Sequence, residues 1–147
     1  MAIEPEENQI KPPKSPLTAK INLAILHFYF ERFAKRYLPA FRYRITSDYR
    51  DSEKNKEVGG AANSAHLHGL ALDFVLLDQN GKAVPKAQAK AVFDEFIEPN
   101  WPGFALWESD HVHVNLSRKI SEYAGAAGVA VLGALGIHLI NRWADKK

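Results

Sequence analysis

Two short stretches constrain this chain more than anything else in it: Ser64-Ala-His66-Leu-His68-Gly69-Leu-Ala71-Leu-Asp73 and Glu108-Ser-Asp110-His111-Val-His113. The first runs into Leu70–Leu77, an apolar segment with β-branched and aromatic residues. That pattern predicts a buried strand with Ala71, Asp73 and Val75 on one face. The second runs into His111–Leu116, whose alternation puts His111, His113 and Asn115 on a common face. Gly69 stands at the turn between the His66 loop and the first strand, where a residue without Cβ lets a ligand loop approach closely. Set side by side, the two strands bring His66, Asp73 and His113 to one point. Two imidazoles and a carboxylate suit a catalytic zinc ion, with the fourth position left to water. Asp110 or Glu108 would stand beside that position as general base.

The pattern Ser-x-His-x-x-Gly-x-Ala-x-Asp followed by Asp-His-x-His resembles the zinc D-alanyl-D-alanine peptidases, relatives of the hedgehog fold. The resemblance extends upstream through Thr46-Ser47-Asp-Tyr49-Arg50 and the loop Val58-Gly59-Gly60-Ala61-Ala-Asn63, and covers roughly residues 20–117. It implies an α+β fold in which a small antiparallel sheet carries the zinc site and helices flank it. It also implies that His66, Asp73 and His113 hold one Zn2+ and that Asp110, three residues before the last ligand, is the base. Glu108 stands three before His111 and remains the alternative base. His111 is placed to stabilise a tetrahedral oxyanion. Arg50 is implied to hold the substrate or polarise its carbonyl, a role suited to a permanently charged, fork-shaped donor. Tyr49 and Ser64 are the further expected substrate contacts, although for Ser64 a hydroxyl satisfied by nearby backbone is an equal alternative. His66 and His68 form a second His-x-His pair, but Gly69 and the loop setting argue against an extended chelating geometry, leaving His68 a cleft-lining or structural residue.

At 147 residues with 11% aromatic and 24% charged residues, the chain is long enough for one domain with a real core. A net charge of +2 and the absence of a basic stripe with interleaved aromatics argue against nucleic acid as a partner. Zero cysteines exclude a disulfide framework and a thiolate metal site. Residues 1–15 read as a flexible polar, proline-rich arm, and Met1–Lys14 has no apolar core of the kind a signal peptide needs.

The zinc domain is expected over 16–120. Ser15-Pro16 opens a helix to residue 37, closed before Pro39, with Leu17, Ile21, Ala24, Ile25 and Phe28 at helical spacing. His27 and the aromatics Phe28, Tyr29, Phe30 and Phe33 on that helix read as core or rim packing. Phe41–Ile45 alternates as a strand, and 51–63 reads as a polar loop framing the cleft. Pro85 opens a helix over 86–97, with Ala87, Ala91, Phe93, Phe96 and Ile97 available for burial. Short strands over 104–107 and 110–116 complete the sheet, and Trp101 and Trp107 read as core or rim rather than cleft walls.

Residues 121–147 are a different material. Ala124–Ile140 is 17 residues without formal charge, flanked by Tyr123 and Trp143, at the short end for crossing a ~30 Å hydrocarbon core. Ala126, Ala130 and Ala134 lie four apart, as in a close-packing membrane helix face, so a membrane anchor and homo-oligomer contact are expected at 124–140.

The functional expectation is a zinc peptidase cutting peptidoglycan stem peptides, as a D-Ala-D-Ala carboxypeptidase or an endopeptidase (endolysin) type. It would be membrane-associated and act on the wall, in the manner of a bacteriophage or virion-borne enzyme. The competing readings are a non-catalytic zinc-containing wall-binding or virion structural protein, and a soluble dipeptidase.

Overall fold

A computed structural model describes residues 16–61 and 64–116. The elements are α1 (Pro16–Tyr37), β1 (Arg42–Ser47), α2 (Ser52–Glu57), a 3₁₀ turn (Ala65–His68), β2 (Ala71–Leu77), α3 (Lys86–Val92) running into one π turn (Phe93–Ile97), β3 (Phe104–Glu108) and β4 (His111–Asn115). The four strands form one antiparallel sheet in the order β1-β2-β4-β3. This is the expected α+β architecture of a small antiparallel sheet flanked by helices. The apolar stretch 124–140 and the arm 1–15 lie outside the described residues. Among those described, no helix is long and apolar enough to cross a membrane.

The period of two along each strand divides the sheet into two chemically different faces. Tyr43 and Ile45 of β1, Leu72, Phe74 and Leu76 of β2, and Val112 and Val114 of β4 join the apolar core. Asp73 and His113 point to the other face and stand directly opposite one another in the β2–β4 register. β2 is buried along most of its length because it is an inner strand with both faces covered.

Helix α1 closes the apolar face. Its buried stripe is Ala19, Ala24, Ile25, Leu26, Phe30, Phe33 and Ala34, a 3.6-residue repeat, and the helix ends ahead of Leu38-Pro39 because a residue preceding proline is pushed out of the helical region. Phe30 is fully buried and packs against Phe74 (4.7 Å between ring centroids), Tyr43 (4.8 Å) and Trp101 (6.2 Å). Tilted and edge-on aromatic pairs at such distances each add ~0.5–1.5 kcal/mol beyond the area they bury. The stripe expected from the sequence is corrected here. Ala24 and Ile25 are buried as expected, but Leu17 is 66% and Ile21 39% exposed, and Ala19, Leu26, Phe30, Phe33 and Ala34 complete the buried face instead.

Two further expectations change. Residues 51–63 are not a continuous loop: Asp51 caps α2, its carboxylate accepting from the Lys54 N–H at 2.7 Å, and Asn55 is buried with its amide donating to the Ala61 carbonyl at 2.8 Å. The helix expected over 86–97 is α-helical only to Val92 and then widens, Glu98 N–H donating to the Phe93 carbonyl five residues back. The buried set is therefore Ala89, Val92, Phe93 and Ile97, while Ala87, Ala91 and Phe96 face solvent. Trp101 is core, its indole N–H donating to the Asn115 carbonyl at 2.7 Å, and Trp107 packs against Phe93 on the core side of the sheet.

Candidate metal centre

The first imidazole comes from the 3₁₀ turn. Ser64 caps that turn, its hydroxyl accepting from the His66 N–H at 3.3 Å, and Gly69 ends it in the left-handed region at φ +67°. Gly69 is needed for two reasons. A side chain resists that φ, and a Cβ there would lie 1.9 Å from the Ala19 carbonyl oxygen of α1. The close approach anticipated at Gly69 is thus real, but what approaches is helix backbone.

His66 Nδ1 lies 2.6 Å from the Asp48 carbonyl oxygen. A carbonyl only accepts, so Nδ1 carries the proton and Nε2 turns its lone pair toward Asp73 Oδ1 at 3.3 Å. His113 Nδ1 meets the same oxygen at 2.8 Å. His66, Asp73 and His113 are all buried, at 3%, 6% and 3% exposure. Each contributes one ligand atom to a set lying within 4.8 Å of one another.

This donor set fits a divalent cation. Ligand atoms ~2.0–2.1 Å from a tetrahedral zinc stand about 3.3 Å apart, the distance between His66 Nε2 and Asp73 Oδ1. A lone pair facing a carboxylate oxygen in a buried site repels, and a cation between them reverses the sign. Asp73 is kept ionised for that purpose. Burial alone would raise its pKa, but the hydrogen bond from His113 leads the contacts that outweigh burial and hold it well below the usual carboxylate range.

Arg50 supports the same carboxylate from the other side. Its Nη2 donates to Asp73 Oδ2 at 3.2 Å, its Nε donates to Ser47 Oγ at 3.1 Å, and its backbone N–H donates to the His66 carbonyl at 3.1 Å. A register shift between Ile45 and Ser47 brings Ser47 opposite Asp73 and re-aims the chain that carries Asp48, Tyr49 and Arg50. Tyr49 sits half-buried in that connection. Ser64 is buried, with its hydroxyl engaged in the cap.

His111 sits at the rim between two carboxylates. Its Nε2 is 3.4 Å from Glu108 and 3.9 Å from Asp73, and its Nδ1 is 2.7 Å from Asp110. The Glu108 hydrogen bond leads the forces that overcome partial burial and raise its pKa to about 9, so it is a cation at neutral pH. The same contacts lower both acids, the bond to His111 first in each case. Glu108 is directly opposite His111 in the β3–β4 register, and Asp110 lies at the exposed hairpin tip beyond Ser109 (φ 50°).

His68 does not join the triad. It is buried, burial pushes its imidazole pKa down, and its carbonyl accepts from the Asn22 amide of α1 at 2.9 Å. Sequence reasoning missed the part of Asp48, which acts through its backbone carbonyl, and read His27 of α1 only as packing, whereas its Nε2 lies 3.6 Å from the Asp48 carboxylate. A backbone acceptor has no signature in the residue alphabet, and a pair 21 positions apart has none in local spacing.

The zinc D-Ala-D-Ala carboxypeptidase of Streptomyces albus G is 34% identical over 70 residues, 48% of this chain and 26% of that protein. The chain thus spans about a quarter of the length of that relative. No solved structure matches the chain significantly. The Peptidase M15 family matches residues 26–115, more than half of the chain and the whole stretch that carries the metal-ligand triad, and the chain belongs to that family.

Proposed function

We propose that this chain is a zinc-dependent peptidase that hydrolyses peptide bonds in peptidoglycan stem peptides, acting on the cell wall outside the cytoplasm. The observation that carries the reading is the buried convergence of His66, Asp73 and His113, with a charged His111 and two carboxylates at its open rim. Zinc held there supplies a Lewis acid for the scissile carbonyl and acidifies a water molecule.

The remaining chemistry belongs to side chains. We assign Asp110 to accept the water's proton and deliver it to the leaving amine. Its position three residues before His113, its solvent access and its 2.7 Å contact with His111 support that role. Glu108 is the competing base, supported by its place on the sheet face of His111. His111, cationic at neutral pH, faces the open side and stabilises negative charge developing on the substrate oxygen. Arg50 keeps Asp73 aligned through Nη2 and offers a guanidinium to a substrate carboxylate or carbonyl, with Tyr49 as a flanking contact, while the buried, capping hydroxyl of Ser64 fits the alternative of a hydroxyl satisfied by nearby backbone.

The test is digestion of purified peptidoglycan by the full chain, with zinc and then with a chelator, read by mass spectrometry of the products. Zinc-dependent loss of one alanine per stem means a carboxypeptidase, and release of uncrosslinked or shortened stems means an endopeptidase. A folded, zinc-loaded sample that leaves every stem intact refutes the reading.

A further inference from the structure

The Asp48 carbonyl bonded to His66 Nδ1 fixes the tautomer that leaves Nε2 free to face the site, and the direction of that carbonyl sets the direction of the ring. Asp48 lies in an irregular connection just past the register shift in β1, where no strand ladder fixes its peptide plane. Two contacts hold the connection to the 3₁₀ turn, the Asp48 carbonyl to His66 Nδ1 and the Arg50 N–H to the His66 carbonyl, at 2.6 and 3.1 Å. A third contact leads elsewhere. The Asp48 carboxylate reaches His27 Nε2, in the middle of α1, at 3.6 Å.

That helix also touches the turn directly. Asn22 donates to the His68 carbonyl, and Gly69 is packed against the backbone at Ala19. The C-terminal end of the turn is therefore referenced to α1 through Asn22 and Ala19, and the acceptor behind the His66 ring is referenced to the same helix through His27. We propose that His27 is a positioning residue for the metal centre: by holding the Asp48 side chain it fixes the Asp48 carbonyl, and through it the orientation and tautomer of His66. The inference rests on the metal-centre reading above.

As a contributor to folding the pair is minor. The side chains are 35% and 43% exposed, and ion pairs that open to solvent contribute little. A purely structural role would accordingly leave both stability and metal binding unchanged. A positioning role leaves stability unchanged and weakens the metal. Removing a group that orients a ligand directly typically weakens metal binding ~10–100-fold, and one step further out the loss should be roughly three- to tenfold.

The experiment compares the wild type with His27→Ala, Asp48→Ala, the double variant and His27→Gln. Zinc affinity is measured by chelator competition, and the ring-nitrogen NMR signals of His66 are recorded in the metal-free protein. Asp48→Ala keeps the backbone carbonyl, and Gln places an amide nitrogen near the position of Nε2. The expected result has four parts: a similar affinity loss in both single variants, no further loss in the double, partial recovery in His27→Gln, and loss of a pure Nδ1–H signal for His66 in the alanine variants. Single variants within twofold of wild type, or losses that multiply in the double, overturn the proposal. A wild type that takes up no zinc overturns the metal-centre reading itself, and the inference with it; that failure is distinguished because it appears before any substitution is made.

Discussion

Gly69 and Gly59 make a matched pair for testing how closely the ligand-bearing turn is seated on α1. Both have positive φ, +67° and +69°, so replacing either by alanine imposes the same left-handed strain of ~1–2 kcal/mol. Both replacements also lower the entropy of the unfolded chain by the same amount, a term that cancels between them. Only Gly69 has a neighbour. A Cβ there would meet the Ala19 carbonyl oxygen at 1.9 Å, whereas among the described residues nothing lies within 4 Å of the corresponding position at Gly59. Contacts that short do not survive, so the turn and the helix must part by roughly an ångström, at an overpacking cost of about 1–3 kcal/mol. That cost is the expected difference between Gly69→Ala and Gly59→Ala in urea or thermal unfolding of the metal-free protein, and at about 2–4 °C per kcal/mol it is readily measured. Because Gly69 joins the His66 turn to the Asp73 strand, zinc affinity should also fall in Gly69→Ala and hold in Gly59→Ala. Equal destabilisation by the two variants would show that the contact with α1 yields freely and would refute the reasoning.

Other consequences can be checked separately. Asp110→Asn should lower peptidoglycan turnover ~10²–10⁴-fold with zinc still bound, and Glu108→Gln much less; the reverse order would move the base to Glu108. Folding raises the His111 pKa from 6.5 to about 9, so its charge contributes stability that is complete below about pH 6.5 and is lost as pH rises through about 9. In the metal-free protein the denaturation midpoint should therefore fall across that interval, and His111→Asn should flatten the fall. Trp101→Phe keeps the buried ring but deletes its 2.7 Å bond to the Asn115 carbonyl, at an expected cost of about 1–2 kcal/mol in chemical denaturation; no loss would mean that the bond is replaced by water.

Much of the site could be read without coordinates because its chemistry sits on regular elements. Asp73 and His113 lie on strands whose period assigns each residue a face, and the structure sets them directly opposite one another. What could not be read is what regular periods do not encode. Helix α2 is polar all round and shows no apolar stripe, although its Asp51 cap was visible in retrospect. The π turn at Phe93–Ile97 moves the buried face of α3 through its hydrogen-bond pattern rather than its composition. Leu17 and Ile21 looked like core because their spacing is helical, but spacing does not say which side of the helix the rest of the chain covers, and at that end it is the side of Ala19.

The chain's sequence by itself determined the candidate ligand types, the strands that bear two of them, and the glycine that ends the turn of the third, because these depend on local period and on conformations only certain residues accept. Tertiary structure decided the rest. It set His66 against the backbone of Asp48, Arg50 on the far oxygen of Asp73, His111 between Glu108 and Asp110, and His27 within reach of Asp48. Most of those contacts join different elements, and their distances are set by how far β1 shifts register and how closely α1 seats on Gly69. Both are outcomes of packing, and packing is a property of the whole chain.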